Sequence, residues 1–137
     1  MKKFDDFIYK YAFHDTIIND IESIDGQIIL YVKDGIYTLD EFGKETRKTS
    51  SCKIVLSIAD FRISEPWSIL IIYKIKSKKI NEVKYEDFVK CVKKEKFTIN
   101  NHYFSPFNNE LMLVGYIGDY KIQIIISSID KIVLCKN

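Results

Sequence analysis

Apolar and polar residues alternate along several short segments of this chain. The clearest alternation spans residues 120–127. Its apolar positions are Tyr120, Ile122, Ile124 and Ile126, and the residues between them include Lys121, Gln123 and Ser127. A period of two predicts a strand with one face buried and the other in water. About seven to eight such segments, separated by turn sequences, predict a fold made mainly of antiparallel strands.

The first third of the chain predicts a short helix followed by a three-stranded meander. Apolar residues at helical spacing within residues 1–13 indicate the helix. The predicted strands are residues 14–24, 27–33 and 36–39. The sequences Asp25-Gly26 and Asp34-Gly35 separate them, and glycine readily adopts the positive φ that tight hairpin turns require. We therefore expect residues 14–39 to form one continuous antiparallel unit.

The middle of the chain contains its most polar segment and its most apolar strand. Residues 40–51 are polar and predict a loop. Strands are predicted at residues 52–59 and 67–76. Because the first half of 67–76 is apolar on both faces, this strand is predicted to lie at the centre of the sheet.

One convincing helix, at residues 85–96, precedes the last strands. Its apolar residues follow the spacing of one helix face, with acidic side chains in the first turn and lysines in the last. The stripe, consisting of Tyr85, Phe88, Val89 and Val92, is predicted to pack on a sheet. A strand at 97–104 follows, and residues 109–135 predict a second meander.

These elements predict one domain over residues 1–137, of the α+β class and dominated by antiparallel β structure. The sheet is expected to be bent, to form a sandwich or to form a partly open barrel, with the helix at 85–96 on one side. A chain of 137 residues suits one domain, and a 47% hydrophobic content supplies a sizeable core.

Charge and cysteine content narrow the classes of function. Residues 1–68 carry 9 basic and 12 acidic side chains, whereas residues 69–137 carry 12 basic and 7 acidic ones. This polarity suits a charged partner but is far below the basicity of a dedicated nucleic-acid-binding protein, so nucleic acid is not predicted. Three cysteines without paired spacing argue against a disulfide framework or a zinc site. With no apolar run of membrane-spanning length and no signal-peptide core, a cytoplasmic location without membrane contact is predicted.

The first candidate site is a histidine among carboxylates. It consists of His14, Asp15, Asp20 and Glu22. Such a set can hold a divalent metal or form an acid–base pair. On a regular strand, however, His14, Asp20 and Glu22 would share the wet face, opposite the buried residues Ile17 and Ile21, and Asp15 would point away from His14. We therefore predict no metal site and assign these side chains to a solvated, partner-accessible face.

The second group of candidates is aromatic and consists of Trp67, Tyr73 and Tyr103. Large aromatic side chains supply much of the energy at protein interfaces, so Trp67 and Tyr73 could anchor a partner if their strand is accessible. His102, beside Tyr103, could be half of a hydrolase site. There is no GxSxG elbow and no carboxylate at a motif spacing, so His102 is predicted to face solvent.

The segment 74–96 holds nine lysines and four acidic residues. Since all of its basic residues are lysines, which cannot make the planar bidentate contacts of arginine, it is predicted to be a solvated loop and helix face. The five glycines are dispersed, and none forms a phosphate-cradling loop. No catalytic residue and no cofactor are predicted.

Three stretches together resemble small, uncharacterised bacterial cytoplasmic proteins of the Phe-His-Asp-x-x-Ile type. They are Phe13-His-Asp-Thr-Ile17, the Trp67 strand, and Tyr85-Glu-Asp-Phe88 leading to Tyr103-Phe-Ser-Pro-Phe107. Some similar proteins are regarded as immunity proteins of contact-dependent or polymorphic toxin systems. The resemblance implies a binding protein without enzymatic activity, and it assigns no catalytic residue to this chain.

Three hypotheses of function follow. The favoured one is a non-catalytic protein-binding module, such as an immunity or antitoxin-like inhibitor, whose acidic first half would suit a basic partner such as a nuclease. The alternative is a small-molecule- or lipid-binding, barrel-like domain in which the helix covers a cavity. The third, a hydrolase or metal enzyme, would depend on His14 or His102.

Overall fold

The computed structural model describes residues 2–24, 26–59, 70–105, 107 and 109–136, without the side chains of residues 2–5. Within these ranges it contains two helices, α1 (Lys2–Lys10) and α2 (Tyr85–Glu95). The strands are β1 (Tyr11–Ala12), β2 (Thr16–Ile24), β3 (Gln27–Val32), β4 (Tyr37–Leu39), β5 (Glu45–Lys48), β6 (Cys52–Ile58), β7 (Leu70–Lys76), β8 (Lys79–Glu82), β9 (Phe97–Ser105), β10 (Glu110–Ile117), β11 (Tyr120–Ile126) and β12 (Ile129–Lys136). The predicted α+β class and both predicted helices are confirmed.

Two antiparallel sheets contain these strands. The large sheet has nine strands in the order β12-β6-β3-β2-β9-β10-β11-β7-β8, and the small sheet has the order β1-β4-β5. The two outermost strands of the large sheet, β12 and β8, each have one neighbour in the described chain, so the sheet is open and does not close into a barrel. Several adjacent strands are joined by the predicted hairpins. Ile24 pairs with Gln27 around Gly26, and Ile117 pairs with Tyr120 around Gly118.

The core lies on one face of the large sheet, which we call the inner face. Alternate residues of each long strand are buried there, and they form one apolar cluster with residues of both helices. Phe88 and Val92 bring α2 onto this face, and the ring of Phe88 meets that of Phe97 edge-on at a centroid distance of 5.9 Å. The predicted packing of the helix stripe on a sheet is therefore confirmed.

The predicted meander over residues 14–39 is wrong at its third strand. β3 pairs with β2 and β6, whereas β4 leaves the large sheet and pairs with β1 and β5. The chain turns away at Gly35, which has a φ of +83° and lies against the backbone of Thr49. Ile36 follows and is fully buried in the apolar core. At the turn containing Gly35, the chain therefore passes from the large sheet to the small sheet.

The predicted loop at 40–51 is also wrong, because it contains β5. Asp40 closes the β4–β5 hairpin, since its Oδ1 accepts hydrogen bonds from the backbone N–H groups of Phe42 (2.8 Å) and Lys44 (2.9 Å). The hydroxyls of Thr38 and Thr46 lie 2.7 Å apart across the two strands. This strand depends on backbone pairing and polar contacts, so it carries no apolar alternation.

The second meander and the central strand need correction as well. β10 and β11 pair as predicted, but β12 crosses to the far edge and pairs with β6. β7 lies next to the edge strand β8, which is exposed throughout and was not predicted. The apolar residues on both faces of β7 therefore do not indicate a central position. Leu70 and Ile72 are buried in the core, whereas Ile71 and Tyr73 lie on an accessible face.

A β-bulge changes the face assignment in β2. Asn19 is the extra residue between the pairs of Ile18 and Asp20 with β3. A bulge shifts the alternation of all residues that follow it. As a result, Ile18 and Ile21 are both buried on the same face of β2. The prediction that Ile17 and Ile21 share a face is therefore wrong.

Candidate functional site

The opposite face of β9, β10, β11, β7 and β8, which we call the outer face, carries an apolar and aromatic surface. Directly paired residues of antiparallel strands point to the same side of a sheet. The register therefore gives three rows across the strands. They are Tyr103, Met112, Ile125 and Ile71; then Asn101, Val114, Gln123, Tyr73 and Glu82; then Thr98, Tyr116, Lys121, Ile75 and Ile80. Nine of these fourteen residues are apolar or aromatic, and none is fully buried.

The most exposed large side chains of the outer face are Tyr103, Tyr116 and Ile80, which are 55%, 43% and 65% accessible. Five strands about 4.8 Å apart give the surface a width of about 20 Å. Both helices contribute to the core on the inner face. Contiguous apolar surface on this scale is typical of interaction sites, since most surface apolar residues of monomeric proteins occur singly.

Two predicted binding residues lie on the outer face. Tyr73 and Tyr103 belong to neighbouring rows and are three strands apart, which corresponds to about 16 Å from the strand spacing. Trp67 lies outside the described residues. The outer face thus combines two aromatic candidates that the sequence places on separate strands.

His14 and Asp15 do not begin β2, as predicted, but form the turn between β1 and β2, where Asp15 has a φ of 58°. The small sheet brings Glu45 to this turn. The His14 Nδ1 lies 3.4 Å from Glu45 Oε1, and its Nε2 lies 3.6 Å from Asp15 Oδ1. Asp15 therefore lies beside the imidazole and not on the opposite face.

Tyr37 and Lys48 complete the surroundings of this turn. The Tyr37 ring stacks near the imidazole of His14 at a centroid distance of 6.4 Å, and Lys48 Nζ lies 5.2 Å from the centre of the Tyr37 ring. Lys48 Nζ also donates a 2.6 Å hydrogen bond to the Asp15 carbonyl oxygen. Through these contacts the small sheet packs against the turn at His14 and Asp15. In the described chain no group of three His, Cys, Asp or Glu side chains is placed to hold a metal ion.

His102 is partly buried and not solvent-facing as predicted. Its side chain lies on the inner face, where its ring meets Phe13 edge-on at a centroid distance of 5.5 Å. Burial lowers the pKa of His102 below its usual value, and the negative charge of Glu45 opposes this shift only in part. The neutral imidazole is thus the form that the packing against Phe13 favours.

This burial predicts a pH dependence of stability. Because the pKa of His102 is lower in the folded chain than in the unfolded one, the unfolded chain binds more protons below about pH 6.5. The contribution is present above that pH and is lost as the pH falls towards the folded pKa. We expect the Tm of the wild type to fall more than that of His102→Gln between about pH 7.5 and 5. Equal slopes in calorimetric melting would contradict this assignment.

Asp20 and Glu22 already have partners within the chain. Asp20 Oδ1 accepts a 2.8 Å hydrogen bond from the backbone N–H of Ile21 and lies 3.9 Å from Lys93 Nζ. Glu22 Oε1 accepts a 3.0 Å hydrogen bond from the Tyr31 hydroxyl, and this bond raises the pKa of Tyr31. These two carboxylates are less available to a partner than the sequence suggested.

A cavity of about 480 Å³ lies between α2 and the strands β7, β8 and β11. Its apolar wall consists of Val83, Phe88, Ile117 and Ile122. Lys74 and Tyr120 stand at one side, and Asp87 and Glu95 of α2 line it as well. This volume is within the range of small-molecule sites.

Comparison with protein-family models, with curated proteins and with solved structures finds no match for this chain. The resemblance to Phe-His-Asp-x-x-Ile proteins therefore stays a prediction. Neither helix in the described part of the chain has the length and apolar character needed to cross a membrane.

Sequence reasoning missed most of the outer face. Tyr116, Lys121, Ile125 and Ile80 received no functional assignment, although the first three occur in recognised strands and Lys121 was placed on the polar face of its strand. The available signal was Ile125, an apolar residue on the polar side of the best alternating segment. Its meaning depends on the neighbours of β11, which only the strand order provides.

Proposed function

We propose that this chain is a non-catalytic protein-binding module, of the kind represented by immunity or antitoxin-like inhibitors, and that it binds its partner through the outer face. The observation that carries the proposal is the accessible aromatic and apolar surface formed by the three rows that contain Tyr103, Tyr73 and Tyr116. Tyrosine is among the residues that contribute most to binding energy at protein interfaces.

The neighbouring residues of the outer face suit such tyrosine anchors. Met112 pairs with Tyr103. The Gln123 Nε2 donates a 3.0 Å hydrogen bond to the sulfur of Met112. Val114 and Ile125 lie in the adjoining positions. A partner that covers these side chains excludes water around the tyrosines, which strengthens the contacts at the centre of an interface.

Lys121 and Glu82 are the charged residues of the three outer-face rows, and they define the charges that the partner must supply. Lys121 is exposed, and its cross-strand neighbours are Tyr116 and Ile75. The ion pairs of the described residues involve His14 and Lys93, not Lys121. We therefore expect a partner surface that is apolar, with a carboxylate opposite Lys121 and a basic group opposite Glu82, in place of the wholly basic surface suggested by the acidic first half.

The experiment is quantitative affinity capture with the wild type, Tyr103→Ala, Tyr116→Ala and Tyr9→Ala. Tyr9 on α1 is the matched control, because it is 72% accessible and lies away from the outer face. A partner retained by the wild type and Tyr9→Ala but bound about tenfold more weakly by each outer-face variant is expected, since anchoring tyrosines contribute about 1.4 kcal/mol or more.

Two results would contradict the proposal. One is a partner that both outer-face variants retain as well as Tyr9→Ala does. The other is a dimer of the free chain, seen by light scattering and dissociated by Tyr103→Ala, because a second copy would then occupy the outer face. For the inhibitor assignment, the captured protein must lose its activity when the wild type binds.

Small-molecule binding is a second candidate, and one observation favours it. The cavity beside α2 has an apolar wall and a volume suited to a ligand. It lies on the inner face, away from the tyrosines of the outer face. Binding there and partner binding can therefore be tested separately.

A further inference from the structure

Four lysines line an open cleft at the β7–β8 hairpin. They are Lys74, Lys76, Lys78 and Lys79, and Ser77, Asn81 and Tyr120 complete the lining. The pairs Lys74 with Asn81 and Lys76 with Lys79 place three of these lysines on the inner face of the sheet. The cleft has a volume of about 660 Å³, and no carboxylate lines it.

Two of the four lysine side chains, those of Lys74 and Lys76, lie beside one aromatic ring. Lys74 Nζ lies 4.3 Å and Lys76 Nζ 4.8 Å from the centre of the Tyr120 ring. A tyrosine ring attracts one ammonium group, but two such groups beside the same ring repel each other. The ion pairs of the described residues involve none of the four lysines. An anion in the cleft would relieve this repulsion.

The cleft continues into the cavity beside α2. Lys74, Asn81 and Tyr120 line both spaces. The cavity adds the apolar wall formed with Phe88 and Ile122, which can accept a flat organic group. Its acidic lining residues, Glu82, Asp87 and Glu95, would repel an anion and can accept hydrogen bonds from amino groups. The two spaces thus favour opposite ends of one ligand.

We propose that this site binds a nucleoside polyphosphate, with its phosphates among the four lysines and its base in the cavity beside α2. Lysine ammonium groups act as point charges that suit phosphate oxygens from several directions, whereas planar carboxylates are matched best by arginine. Several lysines around one cleft require a ligand with several negative charges. The combined cleft and cavity have room for a base and ribose in addition to the phosphates.

The test is isothermal titration calorimetry of the whole chain with ATP, pyrophosphate and adenosine. We expect ATP to bind more tightly than either fragment and to bind more weakly as salt increases, because the phosphate contacts are screened. The double variant Lys74→Gln/Lys79→Gln should weaken ATP binding at least about tenfold, since two phosphate contacts are lost.

The matched control is Lys131→Gln/Lys136→Gln, which removes the same net charge from β12 at the opposite edge of the large sheet. It should leave ATP affinity within about twofold, because distant surface charges are largely screened. Tyr103→Ala should also leave it unchanged, so that a failure here is distinguishable from a failure of the partner proposal. Circular dichroism confirms that each variant is folded.

The proposal is overturned by any of three results. The first is no heat of binding for ATP up to about 5 mM, a concentration that corresponds to only about 3 kcal/mol of binding energy. The second is an equal loss of affinity in the two double variants. The third is pyrophosphate binding as tightly as ATP, because the cavity would then contribute nothing.

Discussion

Replacing Gly35 by alanine is expected to destabilise the fold by about 3 kcal/mol or more, because it combines backbone strain with a steric clash. Gly35 has a φ of +83°, and a Cβ there would lie 1.9 Å from the carbonyl oxygen of Thr49. Thr49 cannot move away easily. Its backbone N–H donates to the Ile36 carbonyl oxygen at 2.9 Å, and its Oγ1 accepts from the Ile36 N–H at 3.1 Å.

Gly26→Ala is the matched control for this prediction. Gly26 has nearly the same φ, +86°, but a Cβ there would meet nothing within 4 Å. Its replacement should cost only the conformational strain, about 1 kcal/mol. Urea unfolding of both variants gives the comparison. If Gly35→Ala is no less stable than Gly26→Ala, the backbone relaxes and the close approach to Thr49 does not hold the two sheets together.

The same turn shows what the sequence can predict and what it cannot. Asp34-Gly35 was recognised as a turn because glycine permits positive φ, and that part is confirmed. Whether the chain re-enters the same sheet after the turn depends on the contact with Thr49, which lies far along the chain. Local signals therefore predicted the break, and a non-local contact determined its consequence.

Strand order likewise cannot be predicted from local sequence signals. The alternation of 120–127 predicted β11, including the inward side chains of Ile122 and Ile124, because a strand's two faces follow from its own residues. β12 was also recognised as a strand, yet Val133 pairs with Val55 and not with a residue of β11. Many pairings satisfy the alternation of one chain equally well, so the partner strand cannot be read from it.

The candidate sites show the same difference between what local sequence signals predict and what depends on non-local contacts. Tyr73 and Tyr103 were predicted from residue type, since exposed aromatic residues favour interfaces. Their connection required the register and one contact between rows, because Gln123 pairs with Tyr73 and donates a hydrogen bond to Met112, which pairs with Tyr103. The lysines at 74–79 were assigned to a solvated surface, because the sequence does not reveal that Tyr120 lies among them.

The second large effect is expected at α2, where Phe88→Ala should destabilise the chain by about 3 to 5 kcal/mol. Phe88 is 2% accessible and packs edge-on against Phe97 of the central strand β9. Removing the ring leaves a void in a part of the core where the sheet and the helix meet. The surrounding side chains belong to strands on both sides of β9, so the void can collapse only in part.

Phe42→Ala is the control for the same substitution on the surface. Phe42 is 81% accessible in the β4–β5 turn, and its replacement should change the free energy of unfolding by less than about 0.5 kcal/mol. Should Phe88→Ala fail to fold, Phe88→Leu provides a smaller void and a measurable loss. Equal unfolding midpoints in urea for the Phe88 and Phe42 variants would show that α2 is not anchored through Phe88.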